Sequence, residues 1–138
     1  MIIIASCGDD DINQNNFANN GIGNPYTGSV VGIRKTTALI INGEAVNLRC
    51  DIENISDKNY AFEFHDDNTF HLYNNCDPDA EVIGLGTYTT TGNVLTLTLN
   101  GQTGKAHMVY VGNDMLEFRF TIGSPGLFYD HTFTVLNV

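Results

Sequence analysis

Hydrophobic and polar residues alternate with a period of two along most of the chain. In residues 60–64 the apolar stripe is Tyr60, Phe62 and Phe64, and in residues 95–99 leucine alternates with threonine. Successive side chains of a β-strand point to opposite faces, so this period is typical of strands with one buried face. The pattern predicts an all-β chain of roughly eight or nine short strands.

Short turn signals separate the strand-like runs. They are the segments 42–43 (Asn-Gly), 66–68 (Asp-Asp-Asn), 91–93 (Thr-Gly-Asn) and 112–114 (Gly-Asn-Asp). Tight turns of this kind join antiparallel neighbours, which makes an up-and-down meander. A long meander hides its exposed edges by closing on itself. We therefore expect an antiparallel barrel of about eight strands, with a two-sheet β-sandwich as the alternative.

The charge of the chain is strongly negative and excludes one class of partner. Sixteen acidic residues outnumber six basic ones among 138 residues, which gives a net charge of −10. Binding of nucleic acid needs a basic surface that neutralises phosphates, so we exclude nucleic-acid partners. The length is enough for one domain with one core.

The histidines and acidic clusters form no recognisable ligand or catalytic motif. None of the four histidines has the spacing of a metal-binding pair: His65, His71, His107 and His131. Asp77, Asp79 and Glu81 lack the glycine and spacing of an EF-hand and are expected in a solvated loop. Glu63 and His71 are expected to face each other across a hairpin as a modest ion pair. We predict no catalytic residues, no metal site and no cofactor. A hydrolase, which needs clustered carboxylates or histidines in a pocket, is the least favoured hypothesis.

The chain begins MIIIASC, an apolar run followed by two small residues and Cys7. Residues 4–7 resemble the lipobox that ends a bacterial lipoprotein signal peptide, with residues 1–7 as a truncated copy of that signal. The cysteine of that motif carries diacylglycerol, so the resemblance implies attachment to a membrane through a lipid on Cys7. Residues 9–11, all Asp, resemble the acidic export tether of surface lipoproteins in Bacteroidetes. The implied location is the outer membrane or cell surface, with the periplasmic face as the alternative.

Two further segments follow the lipobox. Residues 8–28 are rich in Asn and apolar only at isolated positions. Such a segment buries too little apolar surface to offset the entropy of ordering, so we predict a flexible linker. The strand pattern then covers residues 29–138, which we take as one β domain.

Cys50 and Cys76 lie at the ends of two predicted strands, in turn-rich surroundings. Export passes a chain through an oxidising compartment, so we expect these two cysteines to form a disulfide. Two unpaired thiols are the alternative. Redox catalysis is not expected, because the chain has no C-x-x-C pair.

The β domain resembles the lipocalin-like domains of Bacteroidetes lipoproteins. In that family an F-x-F-x-x-D-G-T-F/Y hairpin precedes a G-x-Y/W element and an L-x-L strand. The matching positions here are Phe62, Phe64, Asp67, Asn68 (where Gly is usual), Thr69, Phe70, Gly86, Tyr88, Leu95, Leu97 and Leu99. The first strand departs from the family, because residues 32–34 read Gly-Ile-Arg where lipocalins carry G-x-W, and the chain has no Trp. Either Arg34 closes the barrel floor differently or the barrel is flatter.

The resemblance implies a membrane-anchored, non-enzymatic protein that binds a small hydrophobic ligand inside its barrel. The inward-facing candidates for the ligand cavity are Tyr60, Phe62, Phe64, Phe70, Leu72, Tyr88, Leu97, Phe118, Phe120 and Phe133. The same residues also suit an ordinary packed core, because the interior of a small eight-stranded barrel can be filled by side chains. The second hypothesis is a non-catalytic scaffold that contacts a protein or a glycan through loops at residues 50–58, 76–82 and 123–130.

Overall fold

The structure is a computed structural model, and it describes residues 22–51, 59–77, 79, 81–123 and 125–138. Cys7, the lipobox and most of the expected linker lie outside the described residues. The described residues form nine strands: β1 Gly32–Ile41, β2 Glu44–Val46, β3 Tyr60–Phe64, β4 Thr69–Asn74, β5 Val82–Thr91, β6 Val94–Leu99, β7 Gln102–Gly112, β8 Met115–Phe120 and β9 His131–Asn137. They contain no helix, and so none that could span a membrane.

Eight of the nine described strands form a closed antiparallel barrel. Consecutive strands pair from β3 to β9, and β1 closes the sheet by pairing with both β3 and β9. The short β2 pairs with the second half of β1, on the same edge as β3. The predicted up-and-down, lipocalin-like barrel is thereby confirmed, and the described strands do not split into two sheets.

The predicted turns form hairpins between consecutive strands. Asn42 and Gly43 both have positive φ, 52° and 81°, as a two-residue type I′ turn requires. Asn68 adopts a φ of 68° between β3 and β4, a left-handed conformation that Asn tolerates better than most residues. The Asp67 carboxylate supports this turn by accepting hydrogen bonds from the Thr69 N–H (3.1 Å) and hydroxyl (2.6 Å). The turns fix the register of each hairpin and therefore which side chains share a face.

The inward faces of the strands form one continuous apolar core. The ring centre of Phe62 lies 5.3 Å from that of Phe133 and 5.8 Å from that of Phe118, edge to face in both cases. These contacts have the geometry that aromatic rings prefer in close-packed interiors. Gly86 leaves room for one further ring, because a Cβ atom at this position would lie 2.7 Å from the ring of Phe70.

Arg34 closes one end of the barrel. It is buried, and its guanidinium donates hydrogen bonds to the main-chain oxygens of Val30 (3.3 Å) and Ser29 (3.2 Å). Burial lowers the pKa of Arg34, an effect that the neighbouring Tyr26 opposes. Of the two alternatives left open by the missing Trp, the structure therefore shows the one in which Arg34 closes the floor.

The described part of the expected linker, residues 22–28, packs against the barrel. The N–H groups of Gly23 and Tyr26 donate to main-chain oxygens of β7 at 2.6 and 2.9 Å. Pro25 forms a β-bridge with Val109 of the same strand. These contacts use the part of the β7 edge that β6 leaves unpaired, so the ordered contacts of the barrel extend N-terminal of β1.

Candidate functional site

The ten residues predicted to line a ligand cavity form the packed core of the barrel. Nine of them are buried, and Tyr60 packs against the same cluster while partly buried. Phe62, Phe70 and Leu97 have an exposed fraction of 0%. The side chains meet each other across the interior, and the arrangement is that of a small barrel filled by its own residues.

The loop between β8 and β9 closes the barrel at the end opposite Arg34. Phe128 places its ring centre 5.2 Å from the ring centres of both Phe120 and Phe133. Its neighbour Tyr129 remains 40% exposed. Part of the apolar surface that the sequence places in this loop therefore serves the core.

An open groove with a volume of about 670 Å³ lies on the outer wall of the barrel. It is larger than two other cavities on the barrel, which measure about 250 and 120 Å³. We call it the outer groove; it crosses β1, β3 and β4 and ends at the segment that follows β4. Its lining residues are Ile33, Lys35, Cys50, Ala61, Glu63, Tyr73, Asn74, Asn75, Cys76 and Asp77.

Strand register explains why a depression forms at this place. Ala61 on β3 is paired with Lys35 on β1 and with Tyr73 on β4. Two long side chains thus flank one methyl group on the outer face of neighbouring strands, and the short residue forms the floor. Ala61 is only 4% exposed, although its side chain lies on the outer face, because the longer side chains of Lys35 and Tyr73 on the neighbouring strands shield it from solvent.

A disulfide fixes one end of the outer groove. Cys50 and Cys76 are bonded, with their Cα atoms 5.3 Å apart, which confirms the predicted pairing. Buried Asn59 donates a hydrogen bond from Nδ2 to the Leu48 main-chain oxygen (3.1 Å). Asn75 donates in turn to Asn59 Oδ1 (3.0 Å). The segment after β2 and the segment after β4 are therefore tied together both covalently and by buried amides.

The two acidic side chains that line the groove accept hydrogen bonds, whereas its one basic side chain has no ion pair among the described residues. Glu63 accepts a hydrogen bond from the Tyr73 hydroxyl at 2.6 Å, and this bond raises the pKa of Tyr73. Asp77 accepts hydrogen bonds from the main-chain N–H groups of residues 79 and 81, at 2.9 and 3.3 Å. Lys35 forms no ion pair with any described residue. The groove thus combines an apolar floor with one cation that is available to a ligand.

Three titratable side chains adjoin the groove on the same outer wall. Glu63 is paired with His71 across the β3–β4 hairpin, so the predicted facing of these two residues is confirmed. Glu63 Oε2, however, lies 3.6 Å from Nε2 of His65. The imidazole ring centres of His65 and His71 lie 4.6 Å apart. We call Glu63, His65 and His71 the Glu–His cluster.

The alternating pattern predicts a candidate site on the inward faces and solvated side chains on the outward faces, whereas the groove lies on an outward face. The outer groove forms because β1 lies beside β3. These strands are separated along the chain by β2 and residues 47–59, and the alternation within one strand does not predict which strand pairs with it. The signal that was available is Ala61, a small residue on an outward face otherwise made of long side chains. The Glu–His cluster was visible only as the expected facing of Glu63 and His71.

Comparison of the chain with protein-family models, with curated proteins and with solved structures gave no match.

Proposed function

We propose that this protein is a non-catalytic binding protein that takes a small amphipathic ligand in the outer groove. The observation that carries the proposal is the size and shape of the groove: about 670 Å³ lies within the range of roughly 300–1,000 Å³ usual for small-molecule sites. The packed interior favours the outer groove over the barrel lumen as the binding position. The lipobox resemblance adds attachment to the cell envelope through a lipid on Cys7.

The lining indicates the chemistry of the ligand. Ile33, Ala61 and the ring of Tyr73 offer an apolar surface, and the disulfide adds to it at one end. Burying the apolar part of a ligand against this surface would stabilise the complex by about 25 cal/mol for each Å² removed from water. Lys35 supplies a cation on one wall. An apolar body that carries one anionic group fits both features.

A fluorescent probe of this chemistry tests the proposal directly. Anilinonaphthalene sulfonate has apolar rings and one sulfonate, and its fluorescence rises when it leaves water for an apolar surface. We expect saturable binding of one probe per folded chain. Lys35→Glu should weaken it about tenfold, since reversing one charge at contact distance costs about 1–2 kcal/mol near a surface.

The chain offers a matched control for each groove variant. Lys105→Glu makes the same charge change on β7, and Leu85→Ser removes an exposed apolar side chain from β5 as Ile33→Ser does from the groove. Both controls should bind the probe like the parent chain. Two results would refute the outer groove as the site. The first is that the control variants weaken probe binding as much as the groove variants do. The second is that neither groove variant weakens probe binding, which would mean that the probe binds elsewhere.

A further inference from the structure

The β3–β4 hairpin brings three metal-ligating side chains together on the outer wall of the barrel. Glu63 and His65 are two residues apart on β3 and its extension, so they share a face. Cross-strand pairing places His71 directly opposite Glu63. One ligand atom from each of Glu63, His65 and His71 lies within 4.8 Å of the other two. The hairpin register alone is sufficient to assemble this group.

Hydrogen bonds orient the first imidazole. The His65 Nδ1 atom lies 3.0 Å from the Thr69 hydroxyl oxygen, and that hydroxyl donates its own proton to the Asp67 carboxylate at 2.6 Å. The Thr69 oxygen is thereby left as an acceptor, so His65 carries its proton on Nδ1. Its Nε2 lone pair then faces Glu63 Oε2 at 3.6 Å.

The second imidazole and the carboxylate are held by one hydroxyl. Tyr73 donates its proton to Glu63 Oε1 at 2.6 Å, and its oxygen lies 3.3 Å from His71 Nδ1. By the same reasoning His71 carries its proton on Nδ1 and leaves Nε2 as its ligating atom. Ligating histidines in metalloproteins usually donate their other N–H to a neighbouring oxygen, which fixes the tautomer and the ring orientation.

We propose that the Glu–His cluster is a binding site for a divalent transition-metal ion of the zinc class, with His65 Nε2, His71 Nε2 and Glu63 Oε2 as ligands. Two imidazoles and one carboxylate are a ligand set that zinc uses in proteins, with bonds of about 2.0–2.2 Å. Tetrahedral geometry at that length sets ligand atoms roughly 3.4 Å apart. The 3.6 Å between Glu63 and His65 is close to this spacing, and one ligand atom of His71 lies within 4.8 Å of both.

The surroundings favour this class of ion over others. Calcium and magnesium prefer oxygen ligands throughout, which the two imidazoles do not supply. The His65 and Glu63 side chains are 30% and 29% exposed, so an ion is reached from solvent and keeps an open position for water or a further ligand. The net charge of −10 attracts cations to the molecule as a whole. The site does not depend on the outer groove, although Glu63 and Tyr73 belong to the wall of both.

Calorimetric titration with zinc chloride tests the proposal on the full chain. Cys7 is replaced by Ser in every sample, so that a free thiol does not bind the metal, and the buffer contains no chelating groups. We expect one zinc ion per chain for the parent. His65→Gln and His71→Gln should each weaken binding at least tenfold. Tyr73→Phe, which keeps the ring but removes the orienting hydroxyl, should weaken it about 10–100-fold.

A matched control separates this site from general affinity of surface histidines. His107 is exposed on β7, outside the cluster, and His107→Gln should bind zinc like the parent. Cobalt(II) provides a second readout, because its visible absorption bands report direct coordination and should disappear in His71→Gln. Far-ultraviolet circular dichroism confirms that each variant is folded. Absence of saturable zinc binding in the parent, or equal affinity in parent and His71→Gln, would overturn the proposal.

Discussion

Adding one methyl group at Gly86 tests how tightly the barrel wall is packed over its core. Gly86 lies on β5, paired with Phe70 on β4 and Leu99 on β6. A Cβ atom there would meet the main-chain oxygen of Thr98 and lie 2.7 Å from the Phe70 ring. Gly84, two residues earlier on the same face, is a matched control. The three atoms nearest to a Cβ at Gly84 would all belong to side chains, the nearest being the tip of Leu99 at 3.1 Å.

The two sites differ in what has to move. The tip of Leu99 can rotate away at little cost, whereas the Thr98 oxygen belongs to the sheet and the Phe70 ring is enclosed by the core. Replacing Gly by Ala within a strand gains about 0.5–1 kcal/mol from reduced backbone entropy of the unfolded chain. Overpacking costs about 1–3 kcal/mol. We therefore expect Gly84→Ala to be nearly neutral and Gly86→Ala to be less stable than Gly84→Ala by about 2 kcal/mol.

Urea unfolding followed by tyrosine fluorescence measures this difference, since the chain has six Tyr and no Trp. The midpoint of thermal unfolding should differ between the two variants by about 10 °C, given the usual dependence for a domain of this size. The reasoning is refuted if Gly86→Ala proves as stable as Gly84→Ala. That result would mean that Phe70 and the β6 main chain can yield, and that the wall is less rigid than its contacts indicate.

Two further predictions concern the cysteines. The disulfide joins residues separated by 26 positions, so replacing both Cys50 and Cys76 by Ser should lower the free energy of unfolding by about 3–4 kcal/mol. Urea unfolding of the parent and the double variant measures this difference. A loss of less than about 1 kcal/mol in the free energy of unfolding would contradict the prediction. With a charged start and a longer apolar run placed ahead of residue 4, so that Cys7 is the lipobox cysteine, the parent should fractionate with membranes in an exporting bacterium and Cys7→Ala with the soluble fraction. Identical fractionation of the two would argue against the lipid anchor.

Much of the fold followed from local patterns in the sequence. The period-two stripe through Phe62 and Phe64 predicted which face of β3 is buried, and both residues lie in the core. The Asn42-Gly43 signal predicted a tight hairpin, because only residues that accept positive φ suit both positions. Short connections then restricted the topology to a meander, since a tight turn cannot join strands that are not neighbours.

Other features could not be read from local patterns. The connection between β2 and β3 is not a tight turn, so the sequence did not show that β3 pairs with β1 beside β2. The closure between β1 and β9 joins the two ends of the domain.

The sequence by itself determined the class of fold, the position of most turns and the identity of the buried stripe, because each of these depends on residues close together along the chain. The tertiary structure decided what the outer wall can do. Lys35, Ala61 and Tyr73 come from three strands and form the floor and walls of a groove only once those strands are in register. Within one hairpin, the orientation of His65 and His71 was set by the hydroxyls of Thr69 and Tyr73. Functional geometry of this kind depends on distances between side chains, and folding alone sets those distances.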